Sequence, residues 1–428
     1  MRKRSVVSSL IAVTAVLAAT GLGACSSPST APTPTETGAQ QVTLNALFMK
    51  QTGLTQDKIS SMIFQFEADN PTITIDPTFV EYDDLHDTIV SSASTGAYDV
   101  VLMDVIWPAE FASKGIVLDV TDRYPASWEQ DMLGGVYTTA KYDDRFYGVP
   151  RGPSTKFLYY NKDMVAAVGA TEADLNTWDG VMAVAQKIKD AKLVQYPFAW
   201  SWSPSEALVC DYGQLLGAFG GQFTDSSGTL AVNSAEGVQT MTWMKHTLDA
   251  GLSNPSSMTF LEEDVANAMA QGQAAFSLNW EAFFAVLQDP TQSQVVGKIG
   301  ILPTPEGPTG ARPGINGTTA LSIMANSAHP DQDWQLITYL TSQPVQNQYT
   351  SGWLPIWKSS YTDPTVTARS PELFAAAETG YADLIYRPTV VNYDSVSTAL
   401  QAEIESALLG NKTPGQAMND AVQEASTG

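Results

Sequence analysis

Cysteine is nearly absent from this chain, with two in 428 residues. Only Cys210 follows Cys25, which excludes a disulfide within the body of the protein and any cysteine metal cluster. Histidine is almost as scarce. His86, His246 and His329 lie far apart with no ligand spacing, so neither a metal site nor a cofactor is expected. Positive charge is short as well, with 22 Lys and Arg against 45 Asp and Glu and a net charge of −23. Such a chain repels nucleic acid, and no basic patch offsets this. No stretch after the first 24 residues is long and apolar enough to span a membrane. There is no G-x-S-x-G, and Cys210 has no marked histidine partner. No local motif sets two carboxyls across one glycosidic bond, so no catalytic residue is expected. Aromatics, by contrast, are plentiful: ten tryptophans and sixteen tyrosines.

The N-terminus indicates the compartment. Arg2, Lys3 and Arg4 precede the apolar run Leu10 to Ala19, too short and too early for an ordinary spanning helix. The run ends in small residues at "LGAC", with Cys25 directly after them. This order resembles the bacterial lipobox, which implies a signal peptide over 1–24 and lipidation of Cys25. Residues 25–41, "CSSPSTAPTPTETGAQQ", offer almost nothing to bury and read as a disordered tether.

After the tether, strands and helices alternate. Val42 to Phe48 is an opening strand. Thr55 stands at the start of a helix whose apolar stripe is Ile59, Met62, Ile63 and Phe66, and Asn70-Pro71 ends it. "ITIDPTFVEY" is strand-like, and a helix with Tyr82, Leu85 and Ile89 on one side follows. "YDVVLMD" is a continuous apolar run, as in a parallel strand covered on both faces. "WPAEFASKG" starts a short helix with proline in its first turn. Further on, Thr177 caps a helix that turns Val181, Val184 and Ile188 inward. Another carries Val396, Leu400, Ile404 and Leu408 and stops at Gly410, and Thr413-Pro414 opens a last one. The pattern is α/β and doubly wound.

Several blocks in order and spacing carry a resemblance. They include "STGAYDVVLMDVIWPAEFASKGIVLDVTD", "YGVPRGPSTKFLYYNKDM", "QGQAAFSLNW", "IGILPTPEG", "DWQLITYLTSQPVQNQY", "SGWLPIW" and "RPTVVNYDSVSTALQAEIESALLG". Together they resemble the carbohydrate-binding group of extracellular solute-binding proteins that feed ABC importers. The resemblance implies a two-lobed fold of the periplasmic-binding-protein kind, with three hinge crossings and a ligand cleft between the lobes. The crossings fall near Ser154 to Leu158, Gly314 to Leu321 and Gly352 to Ile356. Residues 42–153 with 315–352 would form the N-terminal lobe, and 154–314 with 353–428 the C-terminal lobe. It implies a monomer on the outer face of the cytoplasmic membrane, held by its lipid, with an oligosaccharide ligand and permease subunits as partners. "DVIWPAEFA" and "RPTV" lean toward the maltose and trehalose branch, hence toward an α-glucoside.

Ligands of open α/β sheets bind beyond the carboxyl ends of strands. Trp280 stands there, after "AAFSL" and between Asn279 and Glu281. The apolar face of a pyranose lies flat on an indole, while amides and carboxylates take the hydroxyls at its edge. Glu281 suits that edge, or caps the helix that follows. Asp104 ends the strand "YDVVLM", and the resemblance makes it an acceptor for sugar hydroxyls. Lys50 follows the first strand, where the family often has small or acidic residues. Tyr82 and Asp83 open the next helix. Arg151, in "VPRGPS", must face the cleft or find an ion pair. Gly314 and Gly317 flank Asn316 and would let backbone approach a ligand. Trp353 follows Gly352 at the third crossing. Arg387 matches a ligand-contacting arginine of the family, and Tyr393 reads as core or rim. Trp200 and Trp202 alternate if extended, one to core and the other to cleft, with Trp202 the candidate. The rivals are a secreted glycoside hydrolase and a polyamine binder using Asp104 and Glu281 in an acidic aromatic box. The crossing glycines and Arg387 favour a neutral polyol.

Overall fold

The computed structural model describes residues 41–350 and 352–426. Cys25, the leader expected over 1–24 and all but the last residue of the tether expected over 25–41 lie outside the described residues. Strand β1 (Val42–Met49), helix α1 (Gln56–Asp69), β2 (Ile73–Val80), α2 (Tyr82–Thr95), β3 (Val100–Asp104) and α3 (Pro108–Ser113) follow in the expected order. The stripe Ile59, Met62, Ile63 and Phe66 is buried. Thr55 holds the N-cap position of α1, but its side chain makes no capping bond. Every residue of β3 is buried, as its unbroken apolar run requires.

These strands form a five-stranded sheet in the order β2, β1, β3, Thr319–Ile323, Val149–Gly152. The first three are parallel, and Thr319–Ile323 runs antiparallel to β3 and to its other neighbour. Two distant segments thus complete a sheet whose core the first hundred residues begin. A second sheet has three strands, with Lys156–Asn161 between Phe276–Trp280 and Ile299–Leu302. Alternation along its central strand sorts the side chains. Leu158 and Tyr160 pack into one core with Trp178, Val181 and Ile404, and Phe157 and Tyr159 into another with Leu354, Leu373 and Phe374. Trp353, Ile356, Trp357 and Tyr393 all come from the stretch expected in the C-terminal lobe. They pack instead with the first sheet.

The chain passes between the two sheets at 153–155 and again at 316–318. These two crossings are bonded together: Gly317 N donates to Ser154 O at 2.9 Å, and Ser154 N to Thr318 Oγ1 at 3.4 Å. The third passage is drawn out from Gly352, whose φ of 78° is left-handed, to beyond Trp357. Trp353, Ile356 and Trp357 still pack in the first core, while Leu354 and then Val366 pack with Leu373 and Phe374. Gly53 lies so close to Gly352 that a Cβ there would stand 2.3 Å from Gly352 O. Among the described residues, no helix is long and apolar enough to cross a membrane.

Candidate functional site

A cavity of about 450 Å³ lies between the two sheets, at the carboxyl ends of β1 and β3 and of Phe276–Trp280. Its lining includes Lys50, Tyr82, Asp83, Asp104, Trp280, Glu281, Gly317, Trp353 and Arg387, nine of the residues singled out in the sequence. Segments far apart in the chain meet here because strand ends and helix starts collect on one edge of each sheet.

Arg387 organises the floor. Its Nη2 donates to Asp104 Oδ1 at 3.3 Å and to Asn316 O at 3.2 Å, and its Nη1 to Glu206 Oε1 at 2.7 Å. Asp104 belongs to the first sheet. Glu206 opens the helix Glu206–Ala218, which packs in the second core. Burial opposes the Arg387 charge, but Asp104 and Glu206 hold it, and the guanidinium stays well above its ordinary range. Burial raises the Asp104 carboxyl, with Arg387 pulling against the rise. Asp104 also accepts from Ile106 N at 3.3 Å, so it shapes the turn into α3 as well as lining the cleft. Glu206 receives two more donors, Tyr393 Oη and Ser397 Oγ, each at 2.5 Å. Tyr393 is therefore a buried core residue that braces a cleft carboxylate.

Trp280 is half-buried at the end of its strand. Its Nε1 donates to Glu262 Oε1 at 3.2 Å, and its ring lies 5.1 Å from the buried Lys156 Nζ. Gly317 abuts the same indole: a Cβ there would come within 2.5 Å of the ring. That glycine thus admits the tryptophan and also lines the cavity, where its backbone is open to a ligand. Across the cleft, Tyr82 stacks on Trp107 with centroids 6.0 Å apart. Lys50 pairs with Glu81 at 2.7 Å.

Glu281 is buried and reaches the first crossing. It accepts from Ser154 Oγ at 3.0 Å and Thr155 N at 3.3 Å, and burial pushes its carboxyl up to about 7. It does not cap the helix that follows.

The structure places six singled-out residues away from the lining. Asn279 is buried, donating to Glu262 O at 2.8 Å and accepting from Trp280 N at 2.9 Å, so it holds the wall in place from behind. Asn316 turns its amide oxygen to Thr318 N at 2.9 Å. Gly314 pairs with Leu384, and Thr155 occupies the space a side chain there would need. Trp202 and Trp200 are both fully buried and stacked at 5.2 Å with planes 4° apart. The segment is not a pleated strand, so the two-residue alternation that separated them does not operate. Arg151 neither faces the cleft nor finds an ion pair. Its Nη atoms have no hydrogen-bond partner among the described residues, and it packs 5.8 Å from the Phe48 ring and 5.5 Å from Trp353. Aromatic faces partly offset the buried charge, and burial lowers this guanidinium to about 9.

Sequence reasoning missed Glu206, Glu262, Glu263 and Ser154. The one available signal is that "PSEAL" and "LEEDV" start helices with acidic first turns, and both helix starts face the cavity.

Residues 37–347 match the bacterial extracellular solute-binding protein family. The chain belongs to that family. It is 27% identical over 344 residues to a probable ABC transporter-binding protein of Deinococcus radiodurans, covering 76% of this chain and 79% of that one. The maltose-bound MalE3 of T. maritima superposes with a TM-score of 0.82 at 28% identity, covering 90% of this chain and 99% of that one. The GacH receptor of Streptomyces glaucescens, described with acarbose, has a TM-score of 0.79 at 20% identity, covering 90% and 97%. This solute-binding protein thus has the two-lobed α/β fold that its sequence implies, and relatives are named as binding proteins of ABC transporters.

Proposed function

We propose that this solute-binding protein captures a neutral sugar, an α-glucoside of two to a few units, and delivers it to an ABC importer from the outer face of the membrane, where lipid on Cys25 anchors it. One observation carries the choice of a neutral ligand: most cleft carboxylates already have partners inside the protein. Asp104 and Glu206 hold Arg387, Glu262 takes the Trp280 indole N–H, Glu81 takes Lys50, and Glu281 is tied to Ser154 and Thr155. Asp104, Glu206 and Glu81 are balanced by cations, Glu262 also stands 3.5 Å from Lys156 Nζ, and burial pushes Glu281 up to about 7. These carboxylates therefore keep lone pairs for hydroxyls, with less charge to attract a cation. Beside these acceptors stand the indoles of Trp280 and Trp353, which offer apolar area to a pyranose face. The likeness to maltose-bound MalE3 supports the α-glucoside class.

A thermal-shift screen tests this reading. Maltose, trehalose and short maltodextrins should raise the melting temperature, because a ligand of the native state stabilises it by mass action. Spermidine should not, and a shift with spermidine alone would replace the sugar by a polyamine. The best sugar should be recovered intact after long incubation, whereas monosaccharide release would indicate a hydrolase. Anchoring is tested separately: Cys25→Ser should move the protein from the membrane fraction to the medium, and a variant that stays with the membrane and still takes up fatty-acid label would exclude the lipid on Cys25.

A further inference from the structure

His86 lies on α2, Glu110 on α3, and Asp394 in the first turn of the helix Tyr393–Leu408. Nothing in their spacing along the chain joins them. In space, His86 Nε2 stands 2.9 Å from Glu110 Oε2 and 3.6 Å from Asp394 Oδ2. Its other ring nitrogen, Nδ1, is 3.1 Å from Asp87 Oδ1. The ring is held between Trp107 and Phe111, with centroids at 5.4 and 5.5 Å. Glu110 is nearly buried and gives its second oxygen to Lys114 Nζ at 2.6 Å.

Two carboxylate oxygens therefore converge on one imidazole nitrogen. When Nδ1 carries the ring proton and donates it to Asp87 Oδ1, Nε2 presents its lone pair to both oxygens. Three electron-rich atoms then face one another, and a cation between them removes the repulsion. We propose that His86 Nε2, Glu110 Oε2 and Asp394 Oδ2 form a binding site for a divalent transition-metal ion of the zinc class. One imidazole with two carboxylates is a donor set zinc accepts, and it leaves a coordination position for water. Asp87 on the far ring nitrogen supplies the outer carboxylate that orients a ligating histidine. Magnesium and calcium prefer all-oxygen surroundings and fit less well.

Position gives the site a consequence. α2 and α3 pack with the first core, while Val396, Leu400 and Ile404 carry the third element into the second. A bound ion ties the two lobes one helical turn along α2 from Tyr82 and Asp83, which line the cleft. The proposal does not depend on what the cleft binds.

The experiment is calorimetric titration of the full chain with zinc chloride at neutral pH, after chelator treatment and removal of any histidine tag. One zinc ion per chain is expected, with a rise in melting temperature that magnesium and calcium do not produce. His86→Gln should abolish the binding, and Asp87→Asn should weaken it about ten- to a hundred-fold without removing a ligand. His246→Gln, at an exposed histidine elsewhere, should leave it unchanged. An absence of zinc binding by the parent chain, or full binding by His86→Gln, would overturn the site. The cluster would then be an ion-pair network with a proton on Nε2.

Discussion

At the residue scale, Trp280 separates a role in binding from a role in packing. Its ring lines the cavity, yet its indole N–H and its Lys156 contact tie it to the wall. Trp280→Ala should weaken sugar binding about ten- to a hundred-fold, roughly 1.4 to 3 kcal/mol. The ligand-free melting temperature should change little, because the ring is only half-buried. Calorimetry gives the affinity and a melt gives the stability. Unchanged affinity with a large fall in melting temperature would mean that "LNWEAFF" is packing. Trp280 was legible because a broad aromatic after a buried strand has few other uses. Arg151 was not legible in the same way. Charge alone suggested a cleft or a salt bridge, and only the folded arrangement of Phe48 and Trp353 shows a third solution.

Among the elements, the first crossing carries a titratable group. Glu281 sits after the strand Phe276–Trp280 and holds Ser154 and Thr155 of the crossing. Burial raises its carboxyl from 4.5 to about 7. A carboxyl whose folded value is raised favours the native state when protonated. That contribution is whole below the unfolded value near 4.5 and is lost as pH rises through about 7. The loss is on the order of 3 kcal/mol. Glu281→Gln cannot ionise and should lack this decline. Melting curves of the ligand-free parent and variant from pH 4.5 to 8.5 should therefore converge at the acidic end and separate in the variant's favour above pH 7. Parallel curves across the range would show that Glu281 titrates normally.

Helices were the most readable elements, because one buried face imposes a period near 3.6 on the sequence. Ile59, Met62, Ile63 and Phe66 and the run Val396, Leu400, Ile404 and Leu408 are buried where that period places them. Thr177 caps its helix by accepting from Gly180 N at 3.1 Å. Trp200 and Trp202 failed the equivalent test for strands because their segment is irregular, and hydrogen bonds to Ser253 and Ser257 set its path instead.

For the whole molecule, the expected motion is closure of the lobes about the crossings. A sugar touched by both lobes favours the closed arrangement by its extra contacts there. Small-angle scattering should show a smaller radius of gyration with saturating ligand. An unchanged radius would mean that the bridge from Asp104 through Arg387 to Glu206 already holds the lobes together without ligand.

The sequence by itself determined the alternation of strands and helices, their buried faces, the net negative charge, and most of the strand ends that line the cleft. Each of these follows from local patterning or from composition. Only the tertiary structure decided which groups in the cleft are spoken for. Asp104 and Arg387 stand 283 residues apart in the chain, and Ser154 and Glu281 stand 127 apart. Hydrogen bonds and charges act over a few ångströms, and distances along the chain say nothing of which side chains two packed sheets will bring that close.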